Sequence, residues 1–296
     1  MKAGTRVGLL FVGALTGCSG EADTAAAPVG RPVRILPANA AALDFLLALV
    51  PPERLVAVPV TTFDWADTGL DAEHWQERTL SSYVAEPVLA WGPDLVVTSE
   101  WQNAETTALL RRAGVRVVAI PDVVRFEDIL TTLQALGRAV GEPERAAREV
   151  RSLRRRAAVL TASRSRPRPA AMTFTYLGAG AWTAGRGTTV DVLFALAGLR
   201  NAAAEAGLAG HAAVDIETLL TIDPEVIVVA EPSRAGELSA SLAYLQNEPS
   251  LARLAAVAEG HVVALPAHLF AAASQQIVDA AETLVQKLES AGVVGG

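Results

Sequence analysis

The sequence contains a single cysteine among 296 residues, so no disulfide can form within the chain. No pair of its four histidines has the spacing of a zinc site. The apolar stretch near the N-terminus, residues 7–14, is shorter than the roughly 20 residues that a membrane-spanning helix needs. The net charge of −7 argues against a nucleic-acid partner. With 51% hydrophobic and 19% charged residues, the composition is that of a globular protein rather than a disordered chain.

The lone cysteine closes an N-terminal pattern that is typical of exported proteins. Lys2 and Arg6 precede the apolar stretch, and the sequence LTGC then ends at Cys18. This pattern resembles a bacterial lipobox, in which the cysteine is lipidated and becomes the first mature residue. We therefore predict a lipoprotein signal peptide over residues 1–17 and lipid attachment at Cys18. We predict that residues 18–31 form a tether. The protein is expected to be periplasmic or at the cell surface, anchored to a bacterial membrane by the lipid.

A long helix is predicted near the middle of the chain, over residues 142–163. Pro143 suits the first helical turn, and an apolar residue recurs at steps of three and four while arginines occupy the other faces. Some 20 helical residues span roughly 30 Å, about the width of a small domain. The segment 142–165 is therefore predicted to be a helical backbone that connects an N-terminal lobe, residues 32–141, to a C-terminal lobe, residues 166–296.

The two halves repeat each other in outline. Strand and helix patterns alternate in both, which favours parallel α/β sheets. In the first half they predict a strand over residues 55–58, a long loop over 59–82 and a helix over 126–140, and in the second half strands over 226–230 and 262–265. Three segments of the first half recur in the same order in the second: 44–49 with 191–196, 86–97 with 217–228, and 114–121 with 260–266. The ordered set indicates a duplicated lobe. The predicted fold class is α/β, with two lobes of parallel sheets flanked by helices, joined by one long helix, and a ligand cleft between the lobes.

The chain resembles the helical-backbone (class III) substrate-binding proteins of bacterial ABC importers, over roughly residues 32–290. The resemblance lies in the lipobox, the long middle helix, the two Glu-x6-Pro segments followed by Asp or Glu, and the two Val-Val-Ala strands that end in Pro. It implies that the protein captures a ferric siderophore, haem or cobalamin between its lobes. It also implies delivery of that ligand to the permease dimer of an ABC importer.

Aromatic residues follow the predicted strands, where open α/β sheets bind their ligands. Ring faces in a cleft suit a large planar or apolar ligand. The predicted lining consists of Phe63, Trp65, Trp101, Trp182 and Phe270. His211 and His268, the histidines of the second-lobe loops, could bind iron or cobalt through a neutral imidazole, and Tyr83 is a further candidate in the first lobe. The alternative for each is a packing or loop-stabilising role.

Glu86 and Glu217 occupy corresponding places in the two halves, each seven residues before a proline. The resemblance implies that one such glutamate on each lobe contacts arginines on the two subunits of the membrane channel. A carboxylate that stabilises a helix N-terminus is the alternative.

An enzyme is the competing class of function. The sequence has no G-x-S-x-G elbow, no P-loop and no further cysteine that could act as a nucleophile, and the glycines of residues 178–185 miss the dinucleotide-binding spacing. We predict no catalytic residue, no resident cofactor and no dedicated metal site. An extracytoplasmic enzyme on a flavodoxin-like, two-lobed scaffold remains the alternative.

Overall fold

The computed structural model describes residues 30–65, 68–162, 168–178, 180–232 and 239–294. The predicted signal peptide, Cys18 and the tether up to residue 29 lie outside the described residues. Within the described ranges, no helix combines the length and the apolar character that crossing a membrane requires.

The first lobe comprises the elements that precede the long middle helix. Its strands are β1 (Ile35–Pro37), β2 (Val58–Pro59), β3 (Thr79–Leu80), β4 (Leu95–Ser99) and β5 (Arg116–Ile120). Its helices are α1 (Ala40–Leu49), α2 (Thr62–Trp65), α3 (Ala72–Trp75), α4 (Ala85–Ala90), α5 (Ala104–Arg112) and α6 (Phe126–Val140). The main sheet is parallel in the order β1-β4-β5, and Leu55 joins it through a single parallel bridge to Ile35.

The second lobe follows α7 (Pro143–Ala162) and repeats this topology. Its strands are β6 (Ala170–Thr173), β7 (Thr175–Tyr176), β8 (Ala181–Ala184), β9 (Arg200–Asn201), β10 (His211–Val214), β11 (Val226–Ala230) and β12 (Val262–Leu265). Its helices are α8 (Thr189–Ala197), α9 (Ala202–Glu205), α10 (Ile216–Ile222), α11 (Ala240–Asn247), α12 (Ala255–Ala258), α13 (Ala267–Phe270) and α14 (Ile277–Ser290). The parallel sheet has the order β9-β6-β11-β12, and β7, β8 and β10 form a separate antiparallel sheet.

The acidic residue after each of the two matching prolines has the same role in both lobes. The Asp94 carboxylate accepts hydrogen bonds from the backbone N–H groups of Val33, at 2.8 Å, and Arg34, at 3.2 Å. The Glu225 carboxylate accepts one from the Ala170 N–H at 2.9 Å. Each carboxylate therefore fixes the start of the parallel strand beside its own, which gives a physical reason for the repeated Pro-Asp and Pro-Glu pairs.

Two predictions in the first lobe are wrong in detail. The strand predicted over residues 55–58 is not continuous: Leu55 pairs with Ile35 of β1 through a single bridge, whereas β2 pairs with β3, so the chain passes from one sheet to another between them. The loop predicted over residues 59–82 contains the short elements α2, α3 and β3. These elements are too short for hydrophobic periodicity to reveal them.

The long helix α7 is packed against both lobes rather than standing free between them. Its apolar stripe is buried, and it contacts α1 and α6 on one side and α8 and α14 on the other. The buried residues of the stripe are Ala146, Val150, Leu153, Ala157 and Leu160. They belong to one hydrophobic core that runs from the first lobe into the second. The predicted apolar stripe is thus confirmed, and it ties the two lobes together.

Two local features fix the direction of α7. Gly137 lies where α6 and α7 approach most closely, because a Cβ there would be 2.3 Å from the Cβ of Ala146. On the opposite side, the Arg156 guanidinium donates hydrogen bonds to Asp279 and Glu282 of α14, each at 2.5 Å. Both contacts hold α7 between helices of the two lobes.

Candidate ligand-binding cleft

A cavity of about 770 Å³ lies between the two lobes. From the first lobe it is lined by the start of α1 and by the residues that end or follow β4 and β5, including Ser99 and Ile120. From the second lobe it is lined by β6 to β8, the start of α8 and the segment that follows α13. The cavity therefore lies at the carboxyl ends of the parallel strands, where α/β sheets bind ligands, and its volume suits a small-molecule site.

One tryptophan from each lobe reaches the cavity. Trp101, in the turn after β4, is 70% exposed, and Trp182, on β8, is 43% exposed. Trp182 pairs with Thr175 of β7 and Ala213 of β10, so the antiparallel sheet holds its backbone from both sides. The two rings are free to contact a ligand in the cleft.

The turn that carries Trp101 is held by a network of carboxamide hydrogen bonds. The Gln102 side-chain oxygen accepts from Thr98 Oγ1 at 2.6 Å and from Asn39 Nδ2 at 2.7 Å. Asn39 also caps α1, since its Oδ1 accepts from the Ala42 N–H at 2.9 Å. The network joins the cap of α1 to the turn after β4 and makes the first-lobe wall a preformed surface.

Of the other residues that were predicted to bind the ligand, some line the cleft and some lie outside it. Phe270 and His211 line the same cavity as the tryptophans. Phe63 packs against the hydrophobic core, and neither Phe63 nor His268 of α13 is among the described lining residues. Trp65 ends α2, and its side chain lies outside the described part of the structure.

Tyr83 is directed elsewhere. Its hydroxyl lies 2.9 Å from Thr107 Oγ1 on α5, and Tyr83 is not among the described residues of the cavity wall. Across the described ranges, no group of three or more His, Cys, Asp or Glu side chains is arranged to hold a metal ion.

A wall of hydroxyl groups in the second lobe was not predicted from the sequence. It consists of Thr173, Thr175, Thr183, Thr188 and Thr189. Two of these hydroxyls shape the turn into α8: Thr173 Oγ1 accepts from the Ala184 N–H at 3.1 Å, and Thr188 Oγ1 donates to the Gly185 carbonyl at 2.8 Å. The threonines come from four separate elements and form no contiguous motif, so only the fold brings them together.

A buried acid joins the lobes below the floor of the cleft. Asp44 lies one turn along α1 from Ala40 and Ala41, which line the cavity. Its carboxylate accepts a hydrogen bond from Ser274 Oγ at 3.0 Å, and its backbone carbonyl accepts one from Gln275 Nε2 at 2.7 Å. Burial raises the pKa of Asp44 to about 6, and the Ser274 hydrogen bond only partly opposes this rise.

A second cavity, of about 630 Å³, lies on the second lobe and shares Trp182 with the cleft. Its wall includes Tyr176 and Tyr244, whose rings are stacked with centroids 4.0 Å apart and planes 13° apart. Leu177, 68% exposed, stands beside them. The two tyrosines already contact each other, which leaves less ring face for a ligand than the cleft offers.

Glu86 and Glu217 lie in the first turns of α4 and α10. Both residues are exposed, and within the described residues neither carboxylate forms an ion pair. Each helix leads through a short turn into an interior strand of its sheet, β4 or β11. The two glutamates thus occupy equivalent positions in the duplicated topology.

Residues 38–269 match the family model described as periplasmic binding protein, and the chain belongs to this family. The structure is similar to the periplasmic haem-binding protein RhuT of Roseiflexus sp. RS-1 in its apo form, with 25% identity, a TM-score of 0.72 and coverage of 87% of this chain and 98% of that chain. It is also similar to a periplasmic haem-binding protein of Pseudomonas aeruginosa, with 28% identity, a TM-score of 0.69 and coverage of 86% and 91%.

An ABC-type Fe³⁺-hydroxamate transport protein of Saccharomonospora viridis has the same fold, with 22% identity, a TM-score of 0.69 and coverage of 88% and 94%. No curated protein sequence matches the chain significantly. The predicted family and fold class are confirmed by the family match and by these solved structures.

Proposed function

We propose that the protein captures a metal chelate, of the ferric siderophore, haem or corrinoid type, between its lobes and delivers it to the permease dimer of an ABC importer. The observation that carries this proposal is the cavity between the lobes with Trp101 on one wall and Trp182 on the other. Two exposed aromatic rings on opposite walls suit a broad, rigid ligand, because each ring can bury apolar ligand surface against its face. The similarity to two haem-binding proteins, at 25% and 28% identity, supports a ligand of the metal-chelate class, to which haem belongs.

The proposal is tested by titrating the purified mature protein with a ferric siderophore, haemin and cyanocobalamin. Binding should change the absorption spectrum and raise the free energy of unfolding by about 2.7 kcal/mol at a ligand concentration of 100 Kd. The ligand should be recovered unchanged, whereas an enzyme would consume it. The metal-free siderophore serves as the control. Failure of all three metal chelates to bind would contradict the proposal.

Lipid anchoring is a further part of the proposal. Replacement of Cys18 by serine removes the thiol that would carry the lipid, so the Cys18→Ser variant should move from the membrane fraction to the soluble fraction. The Thr24→Ala variant, changed in the tether, should remain with the membrane. A Cys18→Ser variant that stays membrane-bound would exclude a lipid anchor at this residue.

Docking to the importer is proposed to use Glu86 and Glu217. The Glu86→Ala, Glu217→Ala double variant should bind ligand as the wild type does but support much less uptake through the cognate importer, since charge pairs across an interface set orientation and association rate. A matched control is the Glu105→Ala, Glu144→Ala double variant, which removes exposed first-turn glutamates from α5 and α7. Uptake should fall only in the first variant. Equal uptake in both variants would mean that Glu86 and Glu217 stabilise their helices and do not contact the importer.

A further inference from the structure

The charged residues around the cleft indicate which ligand charge it accepts, a point that rests on the proposed function. We infer that the cleft selects a metal chelate without net negative charge, whose outer groups are amides or other neutral hydrogen-bonding groups. The cavity wall, as far as the structure describes it, contains no arginine or lysine, and its ionisable side chains are Asp122 and His211. On the wall formed by the described residues, a polyanionic ligand would therefore meet a carboxylate and no permanent cation.

Apart from Asp122 and His211, the polar residues of the described wall are neutral. Besides the five threonines of the second lobe, it contains the Asn39 carboxamide and the Ser99 hydroxyl of the first. Hydroxyl and carboxamide groups donate and accept hydrogen bonds without a charge, which matches amide and carbonyl groups on a ligand. The Asn39 carboxamide already bonds Ser99, Gln102 and the Ala42 N–H, so the half-buried Thr175 and Thr189 leave the hydroxyls that are most accessible to such groups on a ligand.

The helix N-termini at the cleft do not supply the positive charge that an anionic ligand would need. The starts of α1 and α8 both line the cavity, and each carries only a partial positive charge. At α1 the Asn39 side chain already accepts the Ala42 N–H. At α8 the Asp191 carboxylate accepts the Gly187 N–H at 2.7 Å and brings a full negative charge to the first turn. The positive ends of both helices are thus already engaged by side chains of the chain itself.

Chelate charge therefore sets the expected order of affinity. Three singly charged hydroxamates neutralise a ferric ion, whereas three doubly charged catecholates leave a trianion. The trianion would lose hydration on entering the cleft without gaining a compensating cation, so it should bind on the order of 100-fold more weakly than the neutral chelate. Cyanocobalamin, whose net charge is zero and whose edge is lined with amides, should be accepted on the same grounds.

The test is a fluorescence titration of the purified mature protein with a neutral ferric trihydroxamate, cyanocobalamin, a ferric tris-catecholate and haemin, which carries two carboxylates. At least one neutral probe should bind more tightly than both anionic probes. If the tris-catecholate or haemin binds more tightly than both neutral probes, the charge inference is overturned and the proposed function still stands. Absence of binding by all four probes would instead overturn the proposed function.

A charge reversal at Asp122 tests the role of the cleft, and the same reversal at Glu144 is its matched control. Asp122→Lys places a cation at the exposed rim of the cleft and should shift the affinity ratio toward the tris-catecholate by about tenfold, with a smaller shift for Asp122→Asn. Glu144→Lys makes the same charge change on the exposed start of α7, outside the described cavity wall, and should leave the ratio unchanged. An equal shift in Asp122→Lys and Glu144→Lys would mean that overall charge, rather than the cleft, sets the preference.

Discussion

The Trp101→Ala and Trp182→Ala variants should each bind the ligand roughly 5- to 150-fold more weakly than the wild type, because contact with one ring contributes on the order of 1 to 3 kcal/mol. Both rings line the cleft, and their large exposed fractions mean that few protein contacts are lost on truncation. The free energy of unfolding should therefore change little while the dissociation constant rises. Titration calorimetry and chemical denaturation of the same preparations separate the two effects.

A matched control removes apolar surface outside the cleft. Leu177 is exposed and lines the second cavity but is not among the described residues of the cleft wall. The Leu177→Ala variant should keep the wild-type affinity. Trp182 lines both cavities, so Trp101 separates them: if Leu177→Ala weakens binding and Trp101→Ala does not, the ligand lies in the second cavity and the assignment of the cleft is wrong.

The buried carboxyl group of Asp44 should make the protein less stable as the pH rises from about 4 to about 6. Its pKa is raised from 3.8 to about 6 in the folded state, so in this window the folded protein keeps a proton that the unfolded chain has released. Stability is therefore highest below the unfolded pKa, declines through the window and levels off above the folded pKa. A shift of this size corresponds to a loss of about 3 kcal/mol above the folded pKa.

Asp44→Asn removes the titrating group but keeps an acceptor for Ser274. Its stability should exceed that of the wild type at neutral pH and approach it near pH 4, with chemical denaturation at a series of pH values as the measurement. Ser274→Ala provides a second check: the Ser274 hydrogen bond lowers the pKa of Asp44, so its loss should extend the decline to higher pH. If the wild type and Asp44→Asn have parallel pH profiles, Asp44 does not titrate in this range.

The regular parts of the fold could be predicted from the sequence because they are long or strongly patterned. The predicted helix over residues 126–140 corresponds to α6, and β11 and β12 have the predicted bounds. The stripe of α7 repeats at helical spacing from Ala146 to Leu160, about four turns, so its buried face is determined by local sequence alone. These elements place the cleft at the carboxyl ends of the parallel strands in both sheets.

The second-lobe wall could not be predicted in the same way. The strands β8 and β10 have the sequences AWTA and HAAV, and alanine is a weak strand former. The nearest pair of residues between them, Ala184 and His211, is already 27 positions apart in the chain. Trp182 was therefore expected in a loop after a strand, whereas it lies within β8. The contact between Gln102 and Asn39 joins residues 63 positions apart, and no local pattern indicates it.

The central claim is that a metal chelate binds between the lobes, and a crystal structure of the mature protein with its bound chelate tests it most directly. The account predicts the chelate in the cavity of about 770 Å³, with Trp101 on one side and Trp182 on the other. A chelate seated instead against Tyr176 and Tyr244 in the second cavity, or on the outer surface of either lobe, would contradict it.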